Sequence, residues 1–154
     1  MKRHTGYTLI ELMVVIAILG ILAATSVGFL SRYRERTTGS EALLMMKQIL
    51  EAEIIYFLAH SDFYPKDPGP GNEIWVYHDG GGTTAVDQQR ALDELKVVLP
   101  VGHLLDFHIY RVAAGSPVTV DIHSAGNFNL FPGVRGFSQT VDKTGKIEPP
   151  KKTL

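Results

Sequence analysis

Hydrophobic positions are spread unevenly along this chain. From residue 12 to residue 31, LMVVIAILGILAATSVGFLS, 20 consecutive positions carry no charge, and apolar side chains cover every face of the helix that such a run would form. At 1.5 Å per residue that helix is about 30 Å long, the thickness of a hydrocarbon core. The pattern changes at Ser31/Arg32. Residues 40–60 place Leu43, Met46, Ile49 or Leu50, Ile54 and Phe57 at three- and four-residue steps, which predicts an amphipathic helix. It is expected to continue the apolar helix through RYRERTTGSE, with Gly39 as a weak point. Asp62-Phe63-Tyr64-Pro65 should end it, because proline disfavours helix at the residue before it.

The remainder reads as a small sheet with one further helix. Loop-like KDPGPGN and DGGGTT flank a short strand at 73–78, and residues 85–99 form a second helix stopped at Pro100. Strands follow at 106–113, 118–124 and 136–141, the first two joined by a turn at Ala114-Gly115-Ser116-Pro117. Asp142-Lys143-Thr144-Gly145 turns into a short last strand at Lys146-Ile147, and Glu148-Pro149-Pro150-Lys151-Lys152 reads as a frayed tail. The fold class is therefore α+β: a long N-terminal helix, hydrophobic in its first half and amphipathic in its second, packed on a small antiparallel meander.

Composition narrows the chemistry. Fifteen Lys and Arg against 16 Asp and Glu leave no positive surplus for nucleic acid. Cysteine is absent, which removes disulfides, thiolate metal sites and Cys nucleophiles. Gly80-Gly81-Gly82-Thr83-Thr84 lacks the lysine and spacing of a phosphate loop. Asp121 with His123, and His108 with Tyr110, share strand faces and could form a two-ligand metal site or an acid–base pair, but solvated sheet residues are the stronger reading. No catalytic motif stands out, so neither an enzyme nor a cofactor is expected.

Lys2 and Arg3 precede the apolar run, whereas Arg32, Arg34 and Arg36 follow it, so charge asymmetry does not orient it. A cleavable secretory signal is opposed by the length of the run and by Glu11 at its start. A carboxylate at that depth needs a partner, and the best candidate is an amine. A cut between Gly6 and Tyr7 would place a new ammonium four residues before Glu11, and a neighbouring chain could offer the same group.

The segment GYTLIELMVVIAILGILAA, residues 6–24, closely resembles the start of type IV pilin precursors. The resemblance covers about the first third of the chain. It implies a leader at 1–6, a transmembrane and filament-core helix at 7–31, and an amphipathic helix with a globular head at 32–154. It further implies that a membrane prepilin peptidase cuts after Gly6 and methylates the Tyr7 amine, and that Glu11 meets a neighbour's amine during assembly. The expected partners are copies of the same chain in a homopolymeric filament, the peptidase and methylase, an assembly platform in the bacterial inner membrane, and the lipid bilayer before assembly. The expected location is that membrane, then the cell surface or, for a type II secretion pseudopilin, the periplasm. A permanently tethered periplasmic binding domain is the alternative from another class. Two departures stand out: tyrosine occupies the first mature position, where phenylalanine is usual, and Gly28 occupies a position that is proline in many members. Gly20 and Gly28 bracket a stretch with Thr25 and Ser26 that is expected to melt on assembly, the alternative being that these small residues only allow close helix packing.

Overall fold

The computed structural model describes residues 7–154 other than Asn127. A 52-residue helix, α1 (Leu9–His60), is followed by β1 (Ile74–Val76), α2 (Thr84–Arg90) with a π-helical turn at Ala91–Leu95, β2 (Leu105–Arg111), β3 (Val118–Ser124), β4 (Gly136–Val141) and β5 (Lys151–Thr153). The chain divides into a first unit ending at Arg34 and a second, Glu35–Leu154. The sheet lies wholly in the second unit. Its five strands run in sequence order, every neighbouring pair antiparallel.

Period-two alternation builds the sheet. In β2, Leu105, Phe107, Ile109 and Arg111 are buried while Asp106, His108 and Tyr110 are half-buried on the other face, and β3 alternates likewise. Against the buried face lies the second half of α1, through Ala42, Met46, Ile49, Leu50 and Tyr56. Leu43 is not part of that stripe, being exposed, whereas Ile54 and Phe57 are partly buried at its margin. Gly39 is a close-packing site rather than a weak point. A methyl there would lie 2.5 Å from Phe131 Cε2 and 2.7 Å from its Cζ, and would strike the Leu130 carbonyl oxygen. Gly39→Ala should therefore destabilise the head by about 1–3 kcal/mol, overriding the roughly 1 kcal/mol that alanine gains in an open helix. Urea unfolding of the detergent-solubilised chain checks this, and a net stabilisation would show that the loop yields freely.

The second helix is shorter than its sequence suggests. It ends at Leu95, where Lys96 adopts φ 58° and sends Val97 and Leu99 into the core as extended chain. Both apolar residues are thus served by a period of two, which a helix would not have allowed. At the C-terminus Ile147 makes a single bridge to Val141, and the last strand is Lys151–Thr153 against β4. The tail is paired, not frayed. Pro149 and Pro150 have no amide hydrogens to leave unbonded, and the strand that follows them pairs with β4. At the opposite edge, α2 closes β1: the Trp75 amide donates to Asp87 Oδ2 (3.1 Å) and the Tyr77 amide to Thr84 Oγ1 (3.0 Å). Both acceptors are buried, so that edge offers no free amides at these positions to a passing strand.

Two charged residues lie inside the core. Arg111 is fully enclosed; its Nη1 donates to the Phe63 and Pro65 carbonyls (2.8 and 3.0 Å), and its Nη2 lies 2.8 Å from Asp62 Oδ1. Glu53, also fully enclosed, accepts from the Tyr64 amide at 3.0 Å. Burial pushes the Glu53 carboxyl up to about 8, against the lowering effects of that amide and of Arg111. The folded chain then holds a proton that an unfolded carboxyl near 4.5 releases. The stabilisation is complete below pH 4.5 and is lost as pH rises through about 8. Between those limits stability should fall by about 1.4 kcal/mol per pH unit from this group. Glu53→Gln should therefore be more stable than the parent at pH 8 and nearly equal to it at pH 4.5. A pH-independent difference in urea titrations would show that Glu53 does not titrate there.

Candidate assembly site

The first turn of α1 is fixed by four residues of sequence, Thr8-Leu9-Ile10-Glu11. The Glu11 amide donates to Thr8 Oγ1 (3.3 Å), while the Thr8 amide and hydroxyl both donate to Glu11 Oε2 (2.8 Å each). This reciprocal arrangement satisfies helix-start amides that otherwise have no partner. The T-x-x-E spacing carries that signal, and a reading centred on a neighbour's amine passes over it. Glu11 thus has two tasks open to it: one carboxylate oxygen caps its own helix, and Oε1 makes no hydrogen bond among the described residues. Tyr7 precedes the cap and is 88% exposed. Gly6 and the rest of residues 1–6 lie outside the described residues.

Beyond the cap, the apolar side chains have no cover. Every residue from Tyr7 to Arg34 is exposed or nearly so, including Ile21 and Phe29 at 67% and 74%. Within the described residues α1 alone is long and apolar enough to cross a membrane. So much contiguous apolar surface requires either lipid or other protein around it. Thr25 Oγ1 and Ser26 Oγ both donate to the Leu22 carbonyl, at 3.0 and 2.7 Å, which tucks the two hydroxyls against their own helix. Gly20 and Gly28 have nothing within 4 Å of where a methyl would stand, and both are helical. Their open surroundings leave room for a close neighbour.

The polar groups of the sheet face partner one another. His108 Nε2 lies 3.0 Å from Glu73 Oε2 and its Nδ1 4.0 Å from Asp121 Oδ2. Burial pushes the His108 imidazole down, with Glu73 and then Asp121 pulling the other way. Burial likewise raises the Tyr110 phenol, and Asp121 beside it adds to the shift. His123 stands opposite Asp106 in the β2–β3 register, two pairs away from His108 opposite Asp121. Among the described residues no three His, Asp or Glu side chains converge as ligands for a metal. The Gly80–Thr84 segment is a turn whose Thr84 hydroxyl donates to the Gly81 carbonyl.

Residues 1–27 match the family model described as the prokaryotic N-terminal methylation motif. The chain is 47% identical over 62 residues to a type IV major pilin of Neisseria gonorrhoeae, covering 40% of this chain and 36% of that protein. It is 43% identical over 67 residues to a fimbrial protein of Neisseria meningitidis, covering 44% and 36%. It is 41% identical over 64 residues to the type IV major pilin of Myxococcus xanthus, covering 40% and 29%. The aligned region spans little more than a third of the curated relatives at most among these three, so the likeness belongs to the N-terminal part. No solved structure matches the chain.

Proposed function

We propose that this chain is the precursor of a type IV pilin, a structural rather than catalytic subunit that polymerises through α1 into a surface filament. The observation that supports this most is a charge-free helix, exposed all round, that begins at a carboxylate and carries the methylation motif. In this reading residues 1–6 are the leader, 7–31 the membrane-spanning and later filament-core helix, and 32–154 the amphipathic helix and head. A prepilin peptidase cuts after Gly6, whose missing side chain lets the segment enter an active site extended, and the new Tyr7 amine is methylated. The bilayer shelters the helix before assembly, the neighbouring copies shelter it afterwards, and an inner-membrane platform performs the transfer. Two of the relatives named above are type IV major pilins and the third is a fimbrial protein, which favours a pilus over a secretion pseudopilus.

Mass spectrometry of the N-terminus tests this reading. A mature chain starting at Tyr7 with one added methyl supports it, and Gly6→Val should leave the precursor uncut. An intact Met1 on the wild-type chain in a host that has the peptidase would return the helix to a permanent anchor.

Assembly also bears on residues 21–27. In lipid, an unwound turn would leave backbone groups unbonded at several kcal/mol each, so the segment stays helical there. In a filament, surrounding chains can shelter a stretched turn between the weak positions Gly20 and Gly28. Amides of residues 21–27 should exchange hydrogen fast in filaments and slowly in detergent-solubilised subunits. Equal protection in both states would leave the two glycines with close packing as their only role.

A further inference from the structure

The head carries a cleft that the assembly reading leaves unused. It has a volume of about 660 Å³ and lies between β1, α2 and the loop before β1. Trp75 in β1 and Tyr77 just beyond its end form one wall. Their rings are nearly parallel, 7° apart, with centroids 5.5 Å from each other. Face-to-face carbon contact is about 3.5–4 Å, so rings at that separation are slid past one another and each leaves part of its face uncovered. His108 supports Trp75 from within the sheet at 3.6 Å. Glu73, Thr83, Asp87 and Arg90 supply the polar side.

These polar groups are held rigidly. Glu73 Oε2 accepts from Trp75 Nε1 at 3.2 Å and lies 3.0 Å from His108 Nε2. Asp87 accepts from the Trp75 amide, from the Thr83 hydroxyl (2.6 Å) and from Arg90 Nη1 (2.8 Å). Arg90 Nε donates to Tyr64 Oη (3.1 Å) and Nη2 to the Asn72 carbonyl (2.7 Å). Capacity remains nonetheless: Glu73 Oε1, the Tyr77 hydroxyl, lone pairs on Thr83 Oγ1 and one Arg90 Nη2 hydrogen have no partner given to them by these contacts.

The uncovered parts of two offset aromatic rings, beside a fixed set of donors and acceptors, suit a ligand with one apolar face and a ring of hydroxyls, and the cleft lies within the usual size of small-molecule sites. The lining carries two carboxylates against one guanidinium, which disfavours anions. We infer that this cleft binds a neutral hexopyranose, its carbon–hydrogen face against Trp75 and Tyr77 and its hydroxyls towards Glu73, Thr83 and Arg90. Because the residues are locked before a ligand arrives, little ordering cost opposes binding. The inference does not depend on polymerisation, so either can fail alone.

Trp75 is the one tryptophan of the chain, so its fluorescence reports on the cleft directly. Glucose, galactose, N-acetylglucosamine and N-acetylgalactosamine are titrated separately into the full detergent-solubilised chain. At least one should give a saturable change with millimolar affinity. Val86 is 64% exposed on the α2 wall, so Val86→Phe fills the cleft without disturbing the core. That variant should weaken the affinity by about ten-fold or more while its thermal unfolding matches the parent. Tyr77→Ala should weaken it likewise. No saturable response to any of the four sugars overturns the inference, as does a response that survives Val86→Phe. A response to choline with none to sugars assigns the cleft to a quaternary ammonium instead.

Discussion

In the proposed filament subunit, Glu11→Ala should leave precursor cleavage intact and abolish filaments. A neighbour's ammonium would then enter the apolar helix bundle of that proposal without a counter-ion, and an uncompensated charge in an apolar setting is more costly than the loss of the pair's own attraction. The capping arrangement complicates a simple alanine result, because the same substitution removes the acceptor of the Thr8 amide and hydroxyl. Glu11→Gln separates the two tasks. Glutamine keeps a carbonyl acceptor at the third helical position and so preserves the cap, but it carries no charge for an amine. If the interchain pair governs assembly, both variants lose filaments by at least about ten-fold, and Thr8→Ala, which damages only the cap, retains them. Electron micrographs of sheared filaments, with immunoblots of mature subunit in the membrane, supply the readout. Abundant filaments from Glu11→Gln would confine Glu11 to its own helix.

Arg111→Ala should be the most damaging single change in the head. The guanidinium leaves the end of β2 and bonds the Phe63 and Pro65 carbonyls, tying the segment after α1 to the sheet. Truncation strands those carbonyls and removes the nearest positive charge from Glu53 and Asp62. Removing one partner of a buried charged set costs about 3–5 kcal/mol, a large share of the roughly 5–15 kcal/mol that holds a domain folded. Urea unfolding followed by Trp75 fluorescence in the detergent-solubilised chain measures it. Adding Glu53→Gln should recover part of the loss at pH 8, because the amide needs neither the counter-charge nor the proton that the buried carboxyl requires there. A loss below about 1 kcal/mol would mean that water replaces the guanidinium in an opened cavity.

Several of the structural details were legible as patterns and several were not. The continuous helix through Arg34 and Glu35 and the three middle strands follow from periodicity, and the turn expected at Ala114–Pro117 closes one residue earlier, with the Ser116 amide donating to the Ala113 carbonyl. The T-x-x-E cap is likewise local, a hydroxyl and a carboxylate three residues apart. By contrast, Glu53 occupies a core position on α1 where periodicity calls for an apolar residue, and Arg111 ends a strand whose other inward residues are aliphatic or aromatic. Neither can be assigned to the interior without knowing that Asp62, Phe63, Tyr64 and Pro65 fold back over them. The cleft at Trp75 is of the same kind. Glu73, Trp75 and Tyr77 are neighbours in sequence, but Thr83, Asp87 and Arg90 reach them because α2 packs along β1.

The sequence alone determined the long helix, its apolar first half and the α+β class, because each depends on interactions within a few residues or on one repeated spacing. The tertiary structure decided where Gly39 packs, why the second helix stops at Lys96, which residues complete the sheet at its C-terminal edge, and where two charges are buried. Those outcomes depend on contacts between segments distant in sequence. There the burial of Val97 and Leu99 outweighs local helix preference, and the close approach of Phe131 outweighs the propensity of a single position.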